Sequence, residues 1–312
     1  MRRKHLSSAG STVVAALTAA TVAIGAAFTA QAENDAIRVR RAAERTSFSN
    51  AEIKDGLFKT AFRAELQLGR RDERIRKFDE PVRVFVDNHG APARTADIAA
   101  IVEDIRARVN HLDLAVTSDR KDANVLVVLV RSRDFAQTIR SRYGESAAKK
   151  IQRSLHPQCL SGIAKDETYR IRRAEVILPV DADEFQFYDC AYEELLQSLG
   201  LINDDSSVPW TMFNDDVQMG FFDVYDQYLV NILYDPRIRP GMTKQQVDAL
   251  LPNVLATVRP WVAQANSAAN SSGDSAKGKN VGEGSDPGGG RRRDASNTAS
   301  AVNSERAEPQ RR

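Results

Sequence analysis

The spacing of apolar and polar residues divides the middle of the chain into alternating strands and helices. Apolar residues that recur every three or four positions predict helices over residues 49–66, 95–112, 134–155, 185–199, 221–235 and 243–262. Alternating or continuously β-branched segments predict strands over residues 81–88, 112–118, 123–130, 159–163 and 171–180. Strands and helices are interleaved early and helices dominate late, which predicts an α+β fold with a single mixed sheet and packed helices.

The apolar pattern is lost towards both ends of the chain, and this sets the expected domain limits. Residues 263–312 are rich in Ser, Asn and Gly and cannot bury enough apolar surface to order themselves, so they predict a disordered tail. Residues 33–47 are charged and predict a short linker. Residues 48–262 remain as one globular domain that is large enough for its own core.

Residues 1–32 have the pattern of a signal peptide. Residues 2–4 form a positive start, a run of small apolar residues follows, and Ala30, Gln31 and Ala32 form an A-x-A cleavage site. A membrane anchor is the alternative, although the run contains little Leu or Ile. No later stretch is apolar for long enough to span a bilayer, so cleavage predicts a periplasmic or secreted protein without a transmembrane segment.

The charge balance argues against nucleic acid as a partner. The full chain has a formal net charge of +2. Loss of the three positive residues at positions 2–4 would leave about −1, which gives no general attraction for phosphate backbones.

The two cysteines, Cys159 and Cys190, are expected to form a disulfide bond, because an even pair in an oxidising compartment is typical of a structural bridge. The bridge would close a loop of about 30 residues and contribute roughly 3 kcal/mol in the chain-entropy model. Two buried free thiols are the alternative.

One segment, EELLQSLGLIND, has the spacing of a metal-binding signature. It resembles the H-E-x-x-H-x-x-G-x-x-H pattern of metzincin metalloproteases with the ligands replaced. Glu193, Gln197 and Asn203 occupy the three ligand positions. Glu194 keeps the position of the general base, and Gly200 keeps that of the glycine whose positive φ ends the helix and turns the chain back.

A methionine downstream extends this resemblance. Met242, in the turn RPGM, corresponds to the methionine that lies beneath the metal in metzincins. The order of strands and helices is also similar, so the resemblance implies a metzincin-like, or zincin-like, fold.

The ligand chemistry predicts that this site holds no metal or cofactor. One carboxylate and two amides are poor ligands for zinc, which prefers imidazole and thiolate. Glu193, Gln197 and Asn203 would then form hydrogen bonds across a vestigial site. The alternative is a metal-dependent peptidase or hydrolase in which Glu193 and Asp204 hold an unusual metal and Glu194 is the general base.

Two acidic pairs flank the segment WTMFN. Asp204 and Asp205 precede it, and Asp215 and Asp216 follow it. They are possible Ca²⁺ ligands, but without a D-x-D-x-D-G frame they are expected to act as turn and cap residues.

A second resemblance covers most of the domain. The segments FKTAFRAELQLGRRDERIRKFDEPVRVFV, CAYEELLQSLGLINDD, FNDD and LYDPRIRPGM are similar to those of domain of unknown function 2927, a family of proteobacterial exported proteins. The resemblance implies an envelope protein but supplies no catalytic residue, and this chain lacks the lipobox cysteine of lipoprotein-type members.

These observations together predict an exported, non-catalytic binding or structural module of the cell envelope. A protease-like cleft and an edge strand would hold an extended peptide or an envelope protein.

Overall fold

The fold is that of a computed structural model, which describes residues 34–64, 73–88, 94–155 and 157–277. The predicted signal peptide, residues 1–32, lies outside the described residues. Within the described ranges, no helix is both long enough and apolar enough to cross a membrane.

The centre of the domain is a five-stranded mixed sheet, as the sequence predicted. Its strands are β1 (Val82–Asn88), β2 (Leu114–Val116), β3 (Val125–Val130), β4 (Leu160–Lys165) and β5 (Ile171–Pro179). Their order is β2-β1-β3-β5-β4. The first three pairings in this order are parallel, and β4 pairs antiparallel with β5. Strand β4 is therefore an edge strand.

The described part of the chain contains seven helices. They are α1 (Asp35–Ala42), α2 (Asn50–Thr60), α3 (Thr95–Arg108), α4 (Ser132–Leu155), α5 (Glu184–Ser198), α6 (Val224–Tyr234) and α7 (Lys244–Lys277). With the sheet, they confirm a single α+β domain.

Strand β3 is buried on both faces, which explains its unbroken apolar sequence. Val127 and Leu129 belong to the main core, which also contains side chains of α3 and α5. Val128 and Val130 point to the opposite face and pack with residues of α4. Helix α4 therefore lies on one face of the sheet, and α3 and α5 lie on the other.

Helix α1 lies within the segment that was predicted to be a linker, residues 33–47. Asn34 caps the helix by accepting a hydrogen bond from the N–H of Ala36, and Ile37 is its one buried residue. The guanidinium groups of Arg40 and Arg41 each lie 4.1 Å from the centre of an aromatic ring. The segment is thus attached largely by cations on aromatic rings, which leaves no apolar periodicity in its sequence.

Helix α7 begins with a reciprocal cap. Gln246 N–H donates to Thr243 Oγ1, and Thr243 N–H donates to Gln246 Oε1. The described residues divide into two units, one that ends at Val262 and one that begins at Ala263. The segment predicted to be a disordered tail is helical as far as Lys277, and its later residues lie outside the described part.

The predicted disulfide between Cys159 and Cys190 is confirmed, with the two Cα atoms 5.9 Å apart. Cys159 directly precedes the edge strand β4, and Cys190 lies in α5. The bridge therefore fixes the start of the edge strand against the helix that carries the predicted site.

Candidate functional site

The edge strand and α5 border a cavity of about 980 Å³. Residues 160–164 of β4 form one wall, and the opposite wall consists of side chains from α5 and from the irregular segment 202–218. Tyr143 and Arg142 of α4 contribute from the other face of the sheet. Because β4 pairs with only one neighbour among the described strands, its outer edge offers main-chain hydrogen-bonding groups next to this cavity.

Alternate residues of β4 face the two sides of the sheet. Ser161 points towards α5, where its hydroxyl donates to Gln197 Oε1 over 2.9 Å. Gly162 faces α4, and a Cβ atom there would lie only 2.5 Å from the hydroxyl oxygen of Tyr143. Glycine thus allows the Tyr143 ring to lie directly on the edge strand.

The Tyr143 hydroxyl is a hydrogen-bond donor on the cavity wall. Burial, followed by the nearby charges of Glu175 and Glu194, raises the pKa of Tyr143, so the phenol stays neutral. Its buried oxygen makes no hydrogen bond among the described residues. A ligand with a carbonyl group near Gly162 would provide an acceptor.

Three carboxyl groups meet on the α5 side of the cavity. The carboxylate oxygens of Glu193, Asp204 and Asp215 lie within 4.8 Å of one another. Burial, followed by the charges of Glu194, Asp204, Asp189 and Asp215, raises the pKa of Glu193 well above its ordinary value. The group therefore favours a proton or another cation.

These three carboxylates are the residues that could hold a metal ion. Carboxylate oxygens suit hard cations such as Ca²⁺ and Mg²⁺ better than zinc. The described residues that line the cavity include no histidine, and both cysteines are in the disulfide. The ligand set that zinc prefers is thus missing from the described wall.

Gln197 connects this carboxyl group cluster to the edge strand. It accepts from Ser161, and its Nε2 donates to Asp204 Oδ1 over 2.8 Å. The side chain is only 8% exposed, so both hydrogen bonds fix its orientation. Gln197 is therefore hydrogen-bonded to Ser161 and Asp204, whereas the partners expected from the sequence were Glu193 and Asn203.

Asn203 is not among the residues that line the cavity, although the signature placed it in the site. Its Nδ2 donates to the carbonyl oxygens of Lys59, over 3.0 Å, and of Asp204, over 2.9 Å. This places the side chain against the end of α2. Asp204, the next residue, takes the position beside Gln197 that spacing had given to Asn203.

Met242 is also not among the cavity-lining residues, and its predicted place beneath the site stays a prediction. Its turn is held by Ile75, whose N–H donates to the Met242 carbonyl and whose carbonyl accepts from Gly241, over 3.0 and 2.9 Å. The methionine that lines the cavity is Met212. It lies in an irregular segment, where no periodicity could have marked it.

Glu194 and Gly200 are the two residues that keep their signature identity. Glu194 lines the cavity and is 6% exposed. Gly200 has a φ of +127° and directly follows the last turn of α5. Residues of the two acidic pairs make different contacts. Asp205 accepts a hydrogen bond from the N–H of Ser207 in a turn, whereas Asp204 and Asp215 face Glu193.

Basic side chains line the cavity near the C-terminal end of β4. Arg173 belongs to β5, directly opposite Ala164, and Arg120 and Lys121 precede β3. The guanidinium group of Arg142 pairs with Glu175 over 2.5 Å. The cavity therefore has carboxylates beside α5 and cationic groups at the far end of the edge strand.

Residues 50–253 match the model of a family described as "Protein of unknown function (DUF2927)". No curated protein and no solved structure matches the chain. The family resemblance stated from the sequence is confirmed, and the metzincin-like resemblance stays a prediction.

Proposed function

We propose that this chain, which belongs to the DUF2927 family, is an exported, non-catalytic module that binds an extended peptide segment as an additional strand on β4. The family description names no activity, so the proposal depends on the geometry of the cavity. The ligand would be an unstructured stretch of an envelope protein or a free peptide.

The observation that carries this proposal is that an edge strand forms a wall of a cavity. The six residues of β4 extend over about 20 Å, enough for a short extended segment. A cavity of about 980 Å³ is within the range typical of ligand sites. Main-chain pairing would give affinity independent of sequence, and the flanking side chains would select among ligands.

The two sides of the cavity offer different surroundings to a bound strand. Ligand side chains on the α5 side would meet Ser161 and the carboxylates near Gln197, which favours polar or basic residues. Those on the α4 side would meet Tyr143, whose hydroxyl can donate to a ligand carbonyl. This alternation is the expected basis of selectivity.

Export is part of the proposal and is supported by the N-terminal sequence and by the disulfide. Protein isolated from the envelope of the producing cell should begin at Glu33 by intact mass and contain no free thiol after denaturation. Replacing both Cys159 and Cys190 by alanine should lower the free energy of unfolding by about 2–5 kcal/mol. A chain that begins at Met1, or two titratable thiols, would contradict it.

Peptide binding can be tested with a random-peptide display library selected against the folded protein. Selected peptides should protect the backbone amides of residues 160–165 from hydrogen exchange. Ser161→Trp, which fills the cavity beside α5, should weaken their binding at least about tenfold. The matched control is Val116→Trp, which adds the same side chain to the opposite edge strand, where Val116 is 40% exposed.

Val116→Trp should bind the selected peptides as the wild type does. Protection of another surface, or equal binding by Ser161→Trp, would overturn the proposal.

A second candidate function is a metal-dependent peptidase, and the cluster of Glu193, Asp204 and Asp215 is the observation that favours it. Glu194 would be its general base. Mass spectrometry of the selected peptides after incubation with Ca²⁺, Mg²⁺ or Zn²⁺ distinguishes the two functions. Intact peptides support a binding module, whereas cleavage that Glu194→Gln abolishes would establish the peptidase.

A further inference from the structure

A second group of carboxyls is buried at the N-terminus of α6, outside the cavity. Asp223 and Asp226 are 1% and 0% exposed. Glu44, from the segment after α1, reaches the same helix end and accepts a hydrogen bond from the N–H of Val224. Three acidic groups thus share one helix N-terminus.

The hydrogen bonds around this cluster leave a place for a proton. Asp226 accepts from the Thr211 hydroxyl and from the N–H of Met212, over 2.5 and 2.8 Å. Asp223 Oδ1 accepts from the N–H of Asp226, but its buried Oδ2 has no hydrogen-bond donor among the described groups. A proton on Asp223, donated to Asp226, would satisfy both carboxyl groups.

The electrostatic surroundings favour protonation of the cluster. Burial, followed by the charge of Asp226, raises the pKa of Asp223 well above its ordinary value. Burial also raises the pKa of Glu44 from 4.5 to about 7, against the opposing effects of the Val224 N–H, Arg41 and Arg108. The charged groups facing Glu44 are Asp223 at the N-cap of α6, Asp226 in its first turn, Arg41 in α1 and Arg108 at the end of α3.

Glu44 lies in a segment, residues 34–48, that crosses this helix end and is called here the N-terminal strap. The strap also contacts residues that are far from it in the sequence. Arg40 donates to the Gln218 carbonyl over 2.7 Å, the Arg45 guanidinium lies 4.4 Å from the Trp210 ring centre, and Ile37 packs against Gly220. Residues 44–49 have no regular secondary structure that would hold Glu44 in place.

We propose that the N-terminal strap is a pH-sensitive latch, held by the protonated cluster of Glu44, Asp223 and Asp226 and released when the cluster loses protons. Ionised Glu44 would leave its buried position beside Asp223 for water, and the strap would move with it. Arg40 of the strap donates a hydrogen bond to Gln218, and Asp226 accepts one from Met212. Because Gln218 and Met212 both line the cavity, release of the strap would also loosen this part of the cavity wall.

The sign of the pH dependence follows from the pKa of Glu44. A pKa that is raised on folding means that attachment is strongest below about pH 4.5 and is lost as the pH rises through about 7. A shift from 4.5 to about 7 increases the opening equilibrium about tenfold between pH 6 and pH 8.

Hydrogen exchange of the full chain at pH 6 and pH 8, with each rate divided by its intrinsic value, measures this opening. In the wild type, exchange of residues 35–48 should rise about tenfold between the two pH values. Glu44→Gln keeps an acceptor for the Val224 N–H but cannot ionise. The strap of this variant should therefore stay protected from hydrogen exchange at both pH values. Strand β3 should stay protected throughout, which reports an intact fold.

The matched control is Glu145→Gln, a change at a glutamate that is 62% exposed on α4. It should show the same pH dependence as the wild type. The proposal would be overturned if hydrogen exchange of the strap in the wild type did not change between pH 6 and pH 8. Equal pH dependence of this exchange in Glu44→Gln and the wild type would also overturn it. A strap that is open at both pH values in Glu44→Gln would overturn it as well.

Discussion

Replacing Gly200 by alanine is expected to lower the free energy of unfolding by about 4 kcal/mol. The φ of +127° at Gly200 is strained for any residue with a Cβ atom, at a cost of about 1–3 kcal/mol. The new Cβ would also lie 2.1 Å from the carbonyl oxygen of Arg76, which is main chain and cannot rotate away. Overpacking of this kind adds about 1–3 kcal/mol. Denaturant unfolding measures the sum.

Gly144 provides the matched control, because it has the strain without the clash. It interrupts α4 with a φ of +79°, and a Cβ atom there would meet nothing within 4 Å. Gly144→Ala should therefore cost only about 1–3 kcal/mol. If both variants lost the same free energy of unfolding, Gly200 would not approach Arg76 as closely as it does in the structure.

The close approach at Gly200 also positions the candidate site. The N–H of Gly200 donates to the Gln197 carbonyl over 2.9 Å, and the chain then turns back towards α5. This turn brings Asp204 to Gln197 and Glu193. In a Gly200→Ala protein that still folds, the carboxyl cluster should be the part of the site that is most displaced.

The sheet and most of the helices could be predicted because their burial repeats along the chain. Strand β3 is apolar throughout because both of its faces are covered. Gly200 was predicted from its place after a helix, where a positive φ is needed. In both cases a structural requirement within one short segment determines which residues that segment contains.

Helix α1 was missed because its attachments are long-range and not apolar. Arg40 lies on Phe185 and Arg41 on Phe221, contacts that no spacing within α1 reveals. The same is true of Asp223 and Asp226, which are buried although acidic residues are usually exposed. A helix cap explains Asp223 from sequence, but only the fold shows that Glu44 reaches it.

Only part of the site could be predicted, because only part of it lies on a regular helix. Glu193, Glu194 and Gln197 are fixed by the regular geometry of α5, so their spacing was enough to place them. Beyond Gly200 the chain is irregular, and a signature cannot tell whether Asn203 or Asp204 faces the helix. Packing against the carbonyl of Lys59 decides it.

We expect the wild-type protein to contain no stoichiometric zinc, and the triple variant Glu193→His/Gln197→His/Asp204→His to bind about one zinc ion per chain. The reason is geometric. Positions 193 and 197 are one helical turn apart on α5, and position 204 is hydrogen-bonded to position 197 over 2.8 Å. Three imidazoles there would complete a typical zinc ligand set, which the present amide and carboxylates do not. Elemental analysis of both purified proteins measures the difference.

The control for this gain is Glu193→His/Gln197→His/Asn203→His, the variant that the spacing of the signature alone would favour. Because the Asn203 side chain donates to Lys59 and is not part of the cavity wall, this variant has only two imidazoles on the cavity and should retain far less zinc. Equal zinc in the two triple variants would show that position 203 also reaches the cavity. If neither folded variant gained zinc, positions 193, 197 and 204 would not converge on one point. Stoichiometric zinc in the wild type would instead show that Glu193, Asp204 and Asp215 suffice as ligands, and the peptidase would become the better explanation of the cavity.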